Sequence, residues 1–251
     1  MVGKRIIPCL DVKDGKVVKG KSFVGLTEAG DPAELARYYC REGAHELTFL
    51  DISASDEGRQ TVVDLVGRIG DKMEIPLCVG GGINSLKVMD DLFDAGADKV
   101  SINTPAVANP DFIQEAVNKF GDRIVVAIDA RWNKGVGDWE VYTHGGKKPT
   151  GLMATTWAKE VESRGACEIL LTSIDRDGNK KGYDLELTKA LTDKLSIPVI
   201  ASGGAGLLEH FADVLEKAGA DAVLAASVFH YGQFTIKEVK EHLQNRGIEV
   251  E

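Results

Sequence analysis

The chain repeats itself. EGAHEL, residues 42–47, matches RGACEI, residues 164–169, and IPLCVGGG, residues 75–82, matches IPVIASGG, residues 197–204. In both pairs the offset is 122 positions, from Glu46 to Glu168 and from Gly82 to Gly204. AGADKVSINT, residues 95–104, matches AGADAVLAAS, residues 218–227, with Thr104 and Ser227 separated by 123. Asp11 and Asp129, each ending an apolar run, stand 118 apart. The matched segments follow the same order in both halves. Two such halves in one closed fold are related by an approximate twofold axis, which sets matched residues opposite one another at the same level.

Apolar runs at 6–10, 47–50, 77–79, 100–102, 124–128, 169–172, 199–201 and 222–225 are hydrophobic at nearly every position, as suits parallel strands buried on both faces. Helical patterns lie between them. Asp31-Pro32 starts one helix and Gly43 ends it; Asn109-Pro110-Asp111 starts another and Gly121 ends it. Further helices are expected at 60–69, 85–95, 152–164, 184–194, 207–218 and 236–245. Eight strand–helix units in 251 residues have the size and rhythm of an α/β TIM (β/α)8 barrel. A doubly wound open sheet shares the alternation but has no need of the repeat. The expectation is one barrel domain over residues 1–251, made of two similar half-barrels at about 1–121 and 122–251.

A net charge of −9 argues against a general nucleic-acid or anionic-membrane surface, while leaving room for a local phosphate pocket. No apolar run has the length of a transmembrane helix, and MVGKRIIPCLDV lacks a signal-peptide pattern. The four cysteines are widely spaced, as expected of reduced thiols in a cytoplasmic protein. The histidines show no metal-ligand spacing, so neither metal nor cofactor is expected.

Barrel chemistry gathers where strands end. Asp11 and Asp129 stand there as a matched pair, placed so that one carboxylate can act as base and its opposite as acid. A strand-end Asp can also simply cap a turn. Gly80-Gly81-Gly82 and Ser202-Gly203-Gly204 follow the third and seventh runs. Phosphate needs converging backbone N–H donors, and glycine lets the backbone come close. Each set is followed one strand later by a small hydroxyl residue, Thr104 in Asn103-Thr104 and Ser227 in Ala226-Ser227, and two such sites imply a substrate with a phosphate at each end. Asp51 and Asp175 read equally well as rim groups or caps. Thr172 reads as a substrate contact or as packing, and Lys19 as an anion contact or a solvated charge. At the opposite ends of the strands, Arg5, Glu46, Lys99 and Glu168 form a ring of alternating charge. A structural plug is the simpler reading; a gate for a small neutral molecule on the barrel axis is the alternative.

The motifs KRIIPCLDVKDGKVVKG, LTFLDISAS, VGGGI, DKVSINT, VVAIDA, LLTSIDRDGNKKGYD, IASGGAG and LAASVFH together resemble the HisF family, the cyclase subunit of imidazole glycerol phosphate synthase in histidine biosynthesis. The likeness runs along essentially the whole chain. The sister isomerase of that pathway shares the half-barrel repeat and the paired aspartates, but its opening strand looks different. The resemblance implies that ammonia converts a bis-phosphorylated ribulosyl aminoimidazole-carboxamide ribonucleotide to imidazole glycerol phosphate and AICAR. It implies Asp11 as general base and Asp129 as general acid. One phosphate site is implied at Gly82, Asn103 and Thr104, and the other at Asp177, Gly178, Gly204, Ala226 and Ser227. Lys19 and Thr172 are further candidate substrate contacts. Arg5, Glu46, Lys99 and Glu168 become an ammonia gate, with a glutaminase partner docked on the lower face near Asp98. No glutaminase signature is present in the chain. Residues 131–149, with Trp132 and Trp139, depart from the family pattern; a small hairpin over the site is expected there.

Overall fold

The computed structural model describes residues 3–13, 16–21, 24–52, 56–70 and 73–251, and their side chains outside 19–21, 24–30 and 56–61. The chain opens with β1 (Arg5–Lys13), β2 (Lys16–Lys21), β3 (Val24–Gly30) and α1 (Pro32–Arg41). It continues through β4 (Leu47–Asp51), α2 (Asp56–Ile69), β5 (Leu77–Gly80), α3 (Leu86–Asp94), β6 (Lys99–Ile102), α4 (Thr104–Ala108) and α5 (Asp111–Phe120). The second half has β7 (Ile124–Asn133), β8 (Asp138–Thr143), β9 (Lys148–Met153), α6 (Ala154–Ser163), β10 (Glu168–Ser173) and α7 (Leu185–Thr192). It ends with β11 (Val199–Ser202), α8 (Leu208–Glu216), β12 (Ala222–Ala225), α9 (Ser227–His230) and α10 (Ile236–Asn245).

Eight strands pair in parallel around a closed ring: β1, β4, β5, β6, β7, β10, β11, β12 and back to β1. Helices join consecutive staves, as in a TIM barrel. In this ring β1 and β7 stand four places apart and so face each other across the axis. Side chains alternate along each stave. Ile7, Cys9, Cys78, Val125, Leu170, Ile200, Ala222 and Leu224 form an inner apolar cluster, the filling of the barrel. Ile6, Leu10, Leu47, Phe49, Val79, Val100 and Val126 belong to the larger cluster packed beneath the helices.

Local signals explain the helix starts. Asp31 caps α1 by accepting from the N–H groups of Ala33 and Glu34, and Pro32 takes the first helical position. Asp184 caps α7 through Leu187 N. Thr235 and Glu238 form a capping box at α10. Gly121, at φ 66°, ends α5 as its sequence position suggests.

Two staves outrun their apolar cores. β1 continues to Lys13 and β7 to Asn133 because each gains an antiparallel partner. Val12 faces Val17 of β2, and Asp129 to Asn133 face Tyr142 to Asp138 of β8. Thus each half begins with a stave that folds back as a hairpin, β2–β3 in the first half and β8–β9 in the second. The expected hairpin at 131–149 is present, with Trp132 and Trp139 as a facing edge-to-face pair. The turn Asp14-Gly15 lies outside the described residues.

Candidate active site

Strand alternation places the functional groups. In β1 the barrel-facing positions are Arg5, Ile7, Cys9 and Asp11, which run from the lower end to the upper mouth. In β10 they are Glu168, Leu170 and Thr172; from β6 onward they are Lys99, Ser101 and Asn103. Glu46, Thr48 and Leu50 follow the same alternation through β4. Asp51 shares the helix-facing set with Leu47 and Phe49 and is buried there.

At the mouth, Asp11 and Asp129 lie on opposed staves. Thr172 is the direct Cα partner of Asp129 in the β7–β10 pairing, so it flanks the carboxyl. Burial pushes Asp129 up to about 6, and the charge of Asp177 adds to this, while the hydrogen bond from Asn103 opposes it. Asn103 Nδ2 donates to Asp129 Oδ2 at 3.0 Å and to the Tyr142 carbonyl at 3.2 Å. Sequence patterning misses this contact, because it joins the end of β6 to two strands distant in the chain.

The two glycine turns flank the acid pair. Gly82 ends the first, and Asn103 and Thr104 lie on the adjoining stave; Gly80 pairs in register with Ser101. The Thr104 hydroxyl accepts from His144 N at 3.1 Å, fastening the β8–β9 turn to the start of α4. Across the barrel, Asp177 and Gly178 follow β10, Gly204 follows β11, and Ala226 and Ser227 follow β12. Asp177 N donates to Ser173 O at 2.9 Å, and a Cβ on Gly203 would touch Asp177 Cα at 3.4 Å. Gly204 has φ 110°, and a Cβ there would stand 2.2 Å from Gly182 O. Glycine at 204 is therefore required by backbone packing whatever binds above it. The structure brings both predicted sets together on opposite sides of the mouth. The side chain of Lys19 lies outside the described residues. Asp175, left open between rim group and cap, accepts from Trp132 N at 2.8 Å and ties the loop after β10 to the hairpin. Beside it, the two tryptophans, Arg176 and Lys181 line a cleft of about 410 Å³ on the outer rim.

At the lower end the four charges close a ring. Arg5 pairs with Glu46 at 3.0 Å and with Glu168; Lys99 pairs with Glu46 and Glu168, each at 2.9 Å. Burial raises Glu46 against the attraction of Lys99. Burial would lower Arg5 and Lys99, but their carboxylate partners outweigh it and hold both cationic. Glu46 Oε1 is buried with no hydrogen-bond partner. Burial holds the Cys78 thiol well up and pushes Cys167, the residue before Glu168, up to about 12, so both thiols near the ring are neutral. Asp98 is exposed beside Lys99, and its carboxylate accepts from Leu77 N at 2.8 Å. His45, for which the sequence suggests no role, accepts from Ile6 N at 2.8 Å and sits 2.6 Å from the Glu251 carbonyl oxygen. Among the described residues, no three His, Cys, Asp or Glu side chains are grouped to hold a metal ion.

These features define a TIM-barrel protein with an acid pair at the upper mouth and a charge ring closing its lower end. A family profile described as "Histidine biosynthesis protein" matches residues 5–235. Over 251 residues and the full length of both chains, the protein is 57% identical to "Imidazole glycerol phosphate synthase subunit HisF" of Anoxybacillus flavithermus (strain DSM 21510 / WK1). It is 56% identical, again over both full lengths, to the protein of the same name from Geobacillus thermodenitrificans (strain NG80-2). The chain belongs to the histidine biosynthesis protein family and, within it, to the HisF subunits.

Proposed function

We propose that this chain is the cyclase subunit of imidazole glycerol phosphate synthase, a lyase of histidine biosynthesis. Its substrate is a bis-phosphorylated ribulosyl aminoimidazole-carboxamide ribonucleotide. Ammonia attacks the ribulosyl carbonyl and water leaves, giving an imine; acid–base steps then release AICAR and close the imidazole ring of imidazole glycerol phosphate. The observation that carries the reading is the opposed pair, Asp11 and Asp129, with Asp129 held near neutrality between two glycine-turn sites. A carboxyl poised at about 6 can both give and reclaim a proton in a reaction that needs several transfers. Asp11 serves as base and Asp129 as acid. Gly82 and Thr104 contribute to one phosphate site, and Asp177, Gly178, Gly204, Ala226 and Ser227 to the other, with Lys19 and Thr172 as further substrate contacts.

The lower ring serves as an ammonia gate. A buried ring with an unpaired carboxylate oxygen gains little as a plug over plain apolar filling, which supports a role in passage. The word "subunit" in the relatives' names implies a complex, and a glutaminase docked on the lower face near Asp98 would deliver ammonia to the ring. The chain is a single domain of two half-barrels, about 1–121 and 122–251. Matching backbone supports this: Gly81 and Gly203 have φ 89° and 88°, and Asn103 and Ala226 adopt φ/ψ of −128°/−79° and −117°/−69°. All four cysteines are free, which suits the cytoplasm, and no described helix is long and apolar enough to cross a membrane.

The test supplies the ribulosyl substrate with an ammonium salt and follows AICAR release. The cyclase consumes it; the sister isomerase would not. Asp11→Asn and Asp129→Asn should each lower this turnover by about 10²–10⁴-fold. Unchanged turnover in both variants would remove the acid–base assignment.

A further inference from the structure

The two halves repeat the backbone around each acid, but not the side chain beside it. Ile102 pairs with Val126; Asn103 is the next residue after Ile102, and Asp129 stands three residues beyond Val126 in β7. Ala225 pairs with Pro8; Ala226 is the next residue after Ala225, and Asp11 stands three residues beyond Pro8 in β1. The registers are identical and the backbone angles of Asn103 and Ala226 agree closely. Where one half has a carboxamide, the other has a methyl group that can donate nothing.

The orientation of that carboxamide is determined by its partners. Asp129 Oδ2 and the Tyr142 carbonyl both accept, at 3.0 and 3.2 Å, so the amino end must face them. Both Nδ2 hydrogens are then committed. The remaining atom, Oδ1, is buried with no hydrogen-bond partner. An acceptor oxygen repels a phosphate, so the side chain has no donor left for such a ligand. Asn103 instead links the reacting carboxyl to the hairpin strand β8, whose Tyr142 is the antiparallel partner of Asp129.

We propose that Asn103 is a positioning residue for the acid Asp129 and that its side chain is not a phosphate ligand. Because Nδ2–H occupies Oδ2, the catalytic proton resides on Oδ1. The same hydrogen bond works against the burial that raises this carboxyl, keeping it acidic enough to release its proton near neutral pH. The amide thereby fits Asp129 for the acid role. This inference rests on the assignment of Asp129 as the acid.

The experiment compares wild type, Asn103→Ala, Asn103→Leu and Asp129→Asn in ammonia-dependent turnover of the ribulosyl substrate. The Asp129 carboxyl is titrated in parallel by ¹³C NMR of the free enzyme. For Asn103→Ala, kcat should fall about tenfold while KM stays within about twofold. Its alkaline limb and the NMR titration of Asp129 should both move to higher pH by about one unit, since a hydrogen bond favouring the carboxylate is gone. Asn103→Leu, which keeps the volume, should behave alike; if one variant fails to fold, the other carries the comparison. A KM raised tenfold or more, with kcat and the Asp129 titration unchanged, would overturn the proposal and return Asn103 to the phosphate site. If Asp129→Asn is fully active, the acid assignment itself fails. The NMR shift would still report whether Asn103 tunes that carboxyl.

Discussion

Asp129 carries an opposition between solvation and contact. Its carboxyl is raised from the ordinary carboxylate value to about 6, first by burial, so the folded chain holds the proton more tightly than the unfolded one. The sign of the linkage follows: stability is greatest below the ordinary carboxylate value and falls as pH rises towards 6. Asp129→Asn removes the ionising group and keeps an oxygen for Asn103. The variant should match wild type near pH 4 and exceed it at pH 7 by about 2 kcal/mol, read from thermal or urea melts at both pH values. Equal stability at the two pH values would place the carboxyl in solvent. The position of this acid was legible in the sequence, because a strand-end Asp matched across a repeat is a local pattern. The target of Asn103 was not. Its partners lie 26 and 39 residues along the chain and meet it only when β6, β7 and β8 are assembled.

Among the elements, the apolar cores of the eight staves were legible because parallel strands buried on both faces leave little choice of residue. The extensions of β1 and β7 were not, since polar residues interrupt their apolar pattern and antiparallel partners hold them; Arg131 opposite Glu140 is an example. The lower ring draws one residue from each of β1, β6 and β10 and one, Glu46, from the step before β4. Removing one cation leaves two carboxylates sharing the other in a site of low exposure. Lys99→Ala should cost about 3–5 kcal/mol in urea unfolding. In the complex with a glutaminase it should depress glutamine-dependent turnover more than turnover on added ammonia. Equal depression of the two activities would mark the ring as purely structural.

For the molecule as a whole, closure of the ring brings both chain ends to the lower face. Lys4 N donates to Glu249 O at 2.9 Å and Glu251 N to Lys4 O at 3.2 Å, while His45 lies against the Glu251 carbonyl oxygen. These contacts brace the first residues of β1 directly beside Arg5. Deleting residues 249–251 should lower the thermal midpoint by about 2–8 °C, for a loss of about 1–2 kcal/mol. Turnover on added ammonia should persist, because the mouth lies at the other end of the barrel. Loss of that activity would show that the two ends are mechanically coupled. The repeat made this architecture legible from the sequence, since only a closed ring sets matched halves face to face. The pairing of Lys4 and His45 with residues 249–251 is marked by no repeat or motif, and emerges only from the fold.

The alternation of β1 carries one more consequence. Arg5, Ile7, Cys9 and Asp11 share a face because they are two residues apart. A stave can therefore be lengthened or shortened only in pairs of residues. A single insertion between Arg5 and Asp11 turns one end of the strand over, leaving either the acid or the guanidinium pointing at the helices. The turn between β8 and β9 is free of this parity. In a lineage of such chains, length variation should collect in the hairpins, while the wall keeps an even count between its lower and upper charges.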